Sequence, residues 1–182
     1  RQATEVLVEG LSKLEYRGYD SAGVAINIGE ELSVRKFKGR LQVLADDLTK
    51  NPINGGLGIG HTRWATHGEP SDVNSHPHFN KEKTIAVVHN GIIENYLELR
   101  EELQKEGYVF LSQTDTEVVA HLVDKFYEGN LLEAVYKATG KLRGAYALGV
   151  VCKDNNNELV AVRKDSPLIV GVGEDENFIA SD

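Results

Sequence analysis

The densest set of chemically useful side chains lies in Gly58-Ile-Gly-His-Thr-Arg-Trp-Ala-Thr-His-Gly-Glu-Pro-Ser71. The stretch opens as a small, apolar run at Leu57-Gly-Ile-Gly60 and ends in the turn signal Gly68-Glu-Pro70. Between them stand His61, Thr62, Arg63, Trp64, Thr66 and His67, with the chain's single tryptophan. Arg63 can offer two parallel hydrogen bonds to a carboxylate, and Thr66 and His67 can add donors to the same anion. A strand that opens into such a loop is a common way to hold a binding site. The plainer reading of the same residues is a polar surface loop with one aromatic anchor.

A second candidate is Asn90-Gly91, which follows the apolar run Thr84–His89. The asparagine amide and a closely approaching glycine N–H could together form an oxyanion hole. The same dipeptide is also a strong hairpin-turn signal, although Ile92-Ile93 leads on toward a helix. Asp115 lies in Thr114-Asp-Thr-Glu117, which fits a capping box, so it can also be read as a first-turn acid favoured by the helix dipole. His76-Pro-His78 with Glu82 and His89 has the spacing of a cupin-like metal motif. The flanking glycines fit that motif poorly. Cys152 ends the apolar run Ala147-Leu-Gly-Val-Val-Cys and reads as a buried structural cysteine. The glycine pairs Gly58/Gly60 and Gly171/Gly173 lack a dinucleotide fingerprint.

The elements that must carry these residues follow from periodicity. Residues 3–14 repeat apolar side chains at helical spacing, and 21–28 and 32–37 read as a hairpin turned at Gly29-Glu30. A short helix over 41–48, a loop over 51–56 and a strand over 57–64 come next. Residues 71–83 read as loop, 84–89 as strand and 94–106 as helix, with Gly107 as its stop. A helix starts at the capping box, with Val118, Val119, Leu122, Val123 and Phe126 on its buried face. Another spans about 131–138. Strands at 145–152, 159–162, 168–172 and 177–180 complete the chain. Several hairpins imply antiparallel pairing, and two sheets covered by helices would satisfy the pattern.

Length and composition set the frame. The 182 residues fit one domain, and 41% hydrophobic with 26% charged residues is ordinary for a soluble globular protein. A formal charge of -8 argues against general affinity for nucleic acid or anionic membranes. No run reaches the ~20 apolar residues of a membrane span. One cysteine excludes an internal disulfide framework, and the cytoplasm is the default location. The chain contains no methionine, so Arg1 is not expected to be the natural start.

Four segments in order resemble one family. They are Glu15-Tyr-Arg-Gly-Tyr-Asp-Ser-Ala-Gly23, the stretch 58–71, Val88-His-Asn-Gly-Ile-Ile-Glu-Asn95 and Thr114-Asp-Thr-Glu117. They are similar to the glutaminase domains of the glucosamine-6-phosphate synthases, which are class II glutamine amidotransferases. The Glu-Tyr-Arg-Gly-Tyr-Asp form favours that group over amidophosphoribosyltransferases and asparagine synthetases.

The resemblance implies the four-layer α/β/β/α sandwich of N-terminal-nucleophile hydrolases, with residues 1–182 as the glutaminase domain. It implies hydrolysis of L-glutamine to glutamate and ammonia by an N-terminal cysteine whose own α-amine is the base. It also implies sugar-isomerase domains in the same full-length chain, where the ammonia converts fructose 6-phosphate to glucosamine 6-phosphate. No cofactor or metal is implied, and a homodimer of the full-length enzyme is compatible with it. By position, Asn90 and Gly91 correspond to the oxyanion hole and Arg17 to a residue near the nucleophile, although a plain ion pair would also explain Arg17. Arg63, Thr66 and His67 correspond to ligands of the substrate carboxylate, Asp115 to the ligand of its ammonium group, and Trp64 to a cover. A tryptophan is otherwise most often core. The cysteine-headed first strand is expected to be missing from 1–182, so the chain alone is expected to be inactive. The competing reading is a non-catalytic amino-acid-binding domain that keeps Arg63 and Asp115.

Overall fold

The computed structural model describes all residues 1–182 and carries two main antiparallel sheets. The first has the order β2-β1-β3, from β1 (Ser21–Asn27), β2 (Leu32–Lys38) and β3 (Leu57–Arg63). The second has the order β4-β5-β6-β7, from β4 (His78–Phe79), β5 (Ile85–Ile93), β6 (Gly144–Cys152) and β7 (Val160–Lys164). A separate hairpin pairs β8 (Ile169–Val172) with β9 (Asn177–Ala180). Five helices accompany them: α1 (Ala3–Leu14), α2 (Leu41–Lys50), α3 (Tyr96–Lys105), α4 (Glu117–Phe126) and α5 (Leu131–Thr139).

The period-two alternation of the strands sorts their side chains into three apolar layers. Val24 and Ile26 of β1 face one way and join Leu11 of α1 and Leu44 of α2. Ala25, one residue between them, faces the other way and meets Ile59, Ala86 and Val151. On the second sheet Ile85, Val87, Leu148 and Val150 pack on Val119, Leu122 and Val123 of α4 and on α5. The order is therefore helices, sheet, sheet, helices, the four-layer arrangement that the family resemblance implies. Cys152 shares the face of Leu148 and Val150 and is buried under the helices.

The structure departs from the sequence reading at four places near the candidate site. Strand β5 does not stop at His89. It continues to Ile93, with Asn90 opposite Ala147 and Gly91 opposite Tyr146, so Asn90-Gly91 is not a hairpin turn. The helix after it starts two residues later than expected, at Tyr96. His78-Phe79, read as loop, forms a short edge strand against Val87 and Ala86.

The capping box is also not formed. Helix α4 starts at Glu117, and Thr116 makes no side-chain cap bond. Instead the buried Glu117 carboxylate accepts from the backbone N–H groups of Leu111 and Ser112, at 3.0 and 2.6 Å, and pairs with His121 Nε2 at 2.9 Å. These bonds hold Glu117 below the usual carboxylate range against the opposing effect of burial. The side chain thus ties the incoming loop to the helix rather than closing its end.

Removing that carboxylate would strand two backbone donors and one imidazole. Glu117→Ala is expected to cost about 2–5 kcal/mol, since each buried group left without its partner costs ~1–3 kcal/mol. Denaturant unfolding of the purified variant checks this, and a loss below about 1 kcal/mol would show that solvent replaces the carboxylate.

Candidate active site

At one end of the inter-sheet layer the aliphatic side chains give way to polar ones. Ile59, His61 and Arg63 alternate along β3 toward the second sheet, and Ala86, Val88 and Asn90 alternate along β5 toward the first. His61 Nε2 consequently lies 2.8 Å from Asn90 Oδ1, a hydrogen bond between the sheets. The His61 ring stacks on His76, with centroids 4.1 Å apart, and His76 meets the edge of His78 at 4.8 Å. His78 Nε2 lies 2.9 Å from Thr114 Oγ1, and His89 Nδ1 lies 2.8 Å from Thr116 Oγ1.

Burial holds all four of these rings in the neutral form. It pushes His61 and His89 down to about 4 and His76 and His78 well below the ordinary histidine value. The cupin-like alternative does not survive this geometry. No three acidic, histidine or cysteine side chains converge into a metal-ligand set, and His78 and His89 point nitrogens at threonine hydroxyls.

Beside this layer opens a cavity of about 450 Å³. Every residue given a catalytic or substrate-binding role from the sequence lines it: Arg17, Arg63, Trp64, Thr66, His67, Asn90, Gly91 and Asp115. Asp115 is buried, and its Oδ2 accepts from the Ile93 backbone N–H at 2.8 Å. Its other oxygen, Oδ1, lies 3.9 Å from His67 Nδ1. Thr66 Oγ1 is 3.2 Å from the same nitrogen.

Arg63 is only 4% exposed, and its guanidinium donates to the carbonyls of His67 and Gly68 and, more weakly, Glu69. It therefore folds the loop 64–69 around itself as well as placing positive charge at the cavity wall. Gly91 has φ +113°, and a Cβ there would stand 2.2 Å from the Ala145 carbonyl oxygen. Only glycine fits at that point of the strand.

Two residues are placed differently from their default readings. Trp64 is 60% exposed, not core, and the edge of its ring meets Tyr19 with centroids 5.3 Å apart at the cavity mouth. Arg17 reaches Ser181 Oγ at 3.2 Å and Asp182 at 3.9 Å, so it makes an exposed pairing with the chain's last residues while lining the cavity.

Three contributors were given no role in the site from the sequence. Asp20 accepts from the Ala65 N–H and anchors the loop from the β1 side. Tyr96 packs against His67, with centroids 4.9 Å apart. His61 contacts Asn90. Asp20 stands within the Glu15–Gly23 segment that carried the resemblance, so it could have been found there. His61 stands in the 58–71 stretch, but its contact with Asn90, like that of Tyr96 with His67, joins distant elements and left no local signal.

Comparison with known proteins gives the family. Residues 61–182 match the sequence profile of the glutamine amidotransferase domain. This chain belongs to that family. Over all 182 residues it is 66% identical to the glutamine–fructose-6-phosphate aminotransferase (isomerizing) of Clostridium perfringens and 57% identical to that of Thermus thermophilus. It spans 30% of the length of each. Among solved structures, the glutamine phosphoribosylpyrophosphate amidotransferase of B. subtilis matches with TM-score 0.82 at 27% identity, over 99% of this chain and 39% of that one. The fold is thus of the N-terminal-nucleophile type found in these amidotransferases.

The neutral histidine layer carries a pH signature. Between the ordinary value near ~6.5 and the folded value of about 4, the unfolded chain takes up a proton at His61 and at His89 and the folded chain does not. Stability is therefore complete above ~6.5 and falls as pH drops through that window, by ~1.4 kcal/mol per pH unit for each such group. Urea midpoints measured at pH 7, 6 and 5 should decline, and equal midpoints at pH 7 and 5 would show that these rings are charged or exposed in the fold.

Proposed function

We propose that the cavity binds L-glutamine and that the domain hydrolyses its side-chain amide to release ammonia. The observation that carries this reading is the division of one cavity wall into a cationic and donor side, Arg63, Thr66 and His67, and an anionic side, Asp115, with Asn90-Gly91 on the adjacent strand. A free amino acid carries both charges, so opposed charges on separate elements suit its head group, and the amide would extend toward Asn90. Asp115 would take the ammonium through Oδ1, since Oδ2 is held by Ile93. Arg63, Thr66 and His67 would take the carboxylate. Asn90 Nδ2 and the Gly91 N–H would face the oxygen of the tetrahedral intermediate. Trp64 would cover the bound substrate.

The nucleophile would come from outside these side chains. Cys152 lies on the helix-facing side of β6 and cannot reach the cavity. The cavity extends from its polar end into an apolar slot between α1 and the β8-β9 hairpin, lined by Leu7, Leu11, Leu159, Leu168, Phe178 and Ile179. β3 is the edge strand of its sheet. An added extended strand bearing the cysteine would fill that slot and bring its head to the polar end, beside Arg17. In the full-length protein the ammonia would pass to sugar-isomerase domains and convert fructose 6-phosphate to glucosamine 6-phosphate; the 56–66% identical relatives, named glutamine–fructose-6-phosphate aminotransferase (isomerizing), support this reading.

Ammonia release decides the first point. The full-length protein should liberate ammonia from L-glutamine, and the polypeptide 1–182 alone should not. Turnover by 1–182 that is lost on Cys152→Ala would move the nucleophile to Cys152.

Two substitutions in the full-length protein then separate binding from catalysis. Asp115→Asn keeps the acceptor for Ile93 but removes the charge, so KM for glutamine should rise about ten- to hundred-fold, the worth of one charge-assisted hydrogen bond. Asn90→Ala should lower kcat by ~10²–10³-fold with KM little changed, the behaviour of a donor used mainly in the transition state. Wild-type glutamine kinetics in either folded variant would remove that residue from its role.

A further inference from the structure

The amide of Asn90 has two faces, an oxygen that accepts and a nitrogen that donates. Which one meets the cavity is decided by what holds the other. In the structure Oδ1 is turned across the inter-sheet layer to His61 Nε2 at 2.8 Å, and Nδ2 is left for the cavity side. A carboxamide oxygen can only accept, so Nε2 must carry the proton.

The rest of the His61 environment favours the same tautomer. Its Nδ1 is buried without a hydrogen-bond partner, so a proton there would be stranded, whereas a bare lone pair is the lesser loss. The ring plane is fixed by the stack on His76, with only 21° between the planes. Burial keeps the ring neutral, so a single N–H must be placed on one nitrogen.

We propose that His61 is a positioning residue for amide hydrolysis, whose Nε2–H locks the Asn90 amide with its N–H toward the reacting oxygen. This rests on the reading of Asn90 as an oxyanion donor. The opposite tautomer would make Nε2 an acceptor and turn the Asn90 amide over. Its carbonyl would then face the developing negative charge, and a stabilising group would become a repelling one. His76, which contacts neither Asn90 nor the cavity's charged groups by hydrogen bond, serves as the stacking platform that keeps the His61 ring in plane.

The test uses the full-length protein and glutamine. His61→Phe keeps a ring to stack on His76 but has no donor, and kcat for ammonia release should fall by about ten-fold or more while KM changes little. His61→Gln can place an amide N–H toward Asn90 and should recover much of the loss. In the Asn90→Ala background, His61→Phe should have little further effect, because the two act as one unit. The ¹⁵N spectrum of the wild-type imidazole should show Nε2 protonated and Nδ1 bare.

Additive effects in that cycle, an Nδ1-protonated ring, or unchanged kcat in a folded His61→Phe protein would each overturn the assignment. A folded Asn90→Ala protein with wild-type kcat is a different result, since it would remove the oxyanion reading itself. Should His61→Phe fail to fold, the wild-type spectrum still decides which nitrogen holds the proton.

Discussion

The two sheets meet face to face through a thin layer of small and branched side chains, and everything at the site depends on where that layer stops being apolar. Ala25, Ile59, Ala86 and Val151 hold the sheets together by burial alone. Further along β3 and β5, past Val88, the same inward positions are His61 and Asn90, and the contact becomes a directed hydrogen bond. A packed aliphatic layer sets the distance between the sheets, and that distance allows a 2.8 Å bond between side chains on different sheets. A slip of one residue in either strand would turn that strand's side chain to the wrong face and break the bond.

The elements were largely legible in the sequence because their hydrophobic period was strong. Helix α1 matches its expected span of 3–14, and the strand read at 177–180 is β9. What could not be read was what happens where local signals compete with tertiary pairing. Asn-Gly is a turn signal, but β6 offers nine successive partners to β5, and the ladder carries the strand through Asn90 and Gly91. The capping-box signal failed for a similar reason. Glu117 is fully enclosed beside Leu111, Ser112 and His121, and those donors compete successfully with the helix end.

The site was legible in residue type but only partly in geometry. Arg63, Thr66, His67 and Asp115 could be picked out because charged and donor residues cluster around turn signals and a strand end. That Arg63 would turn its guanidinium onto the loop's own carbonyls was not legible, because it depends on how the loop 64–69 closes. Those carbonyls hold the guanidinium in place, while Asp20 holds the loop from the other side through the Ala65 N–H. Under the proposed reading the donors of this loop are thereby ordered before the substrate arrives, which lowers the entropy lost on binding.

The neutrality of the histidine layer bears on the same point. Asp115 is buried close to His67 and within the field of His89. A protonated His89 would supply a permanent partner for the Asp115 carboxylate and would weaken the ammonium-binding role proposed for it. Burial makes that protonation costly, and Thr116 satisfies His89 Nδ1 without charge. The layer can therefore hold Asn90 through His61 and support the 114–116 segment through His78 and His89 without placing a charged imidazole against Asp115. On the proposed reading, an enclosure that keeps His89 neutral leaves Asp115 available to a ligand's ammonium group, with Arg63 supplying the opposite charge on the same cavity wall.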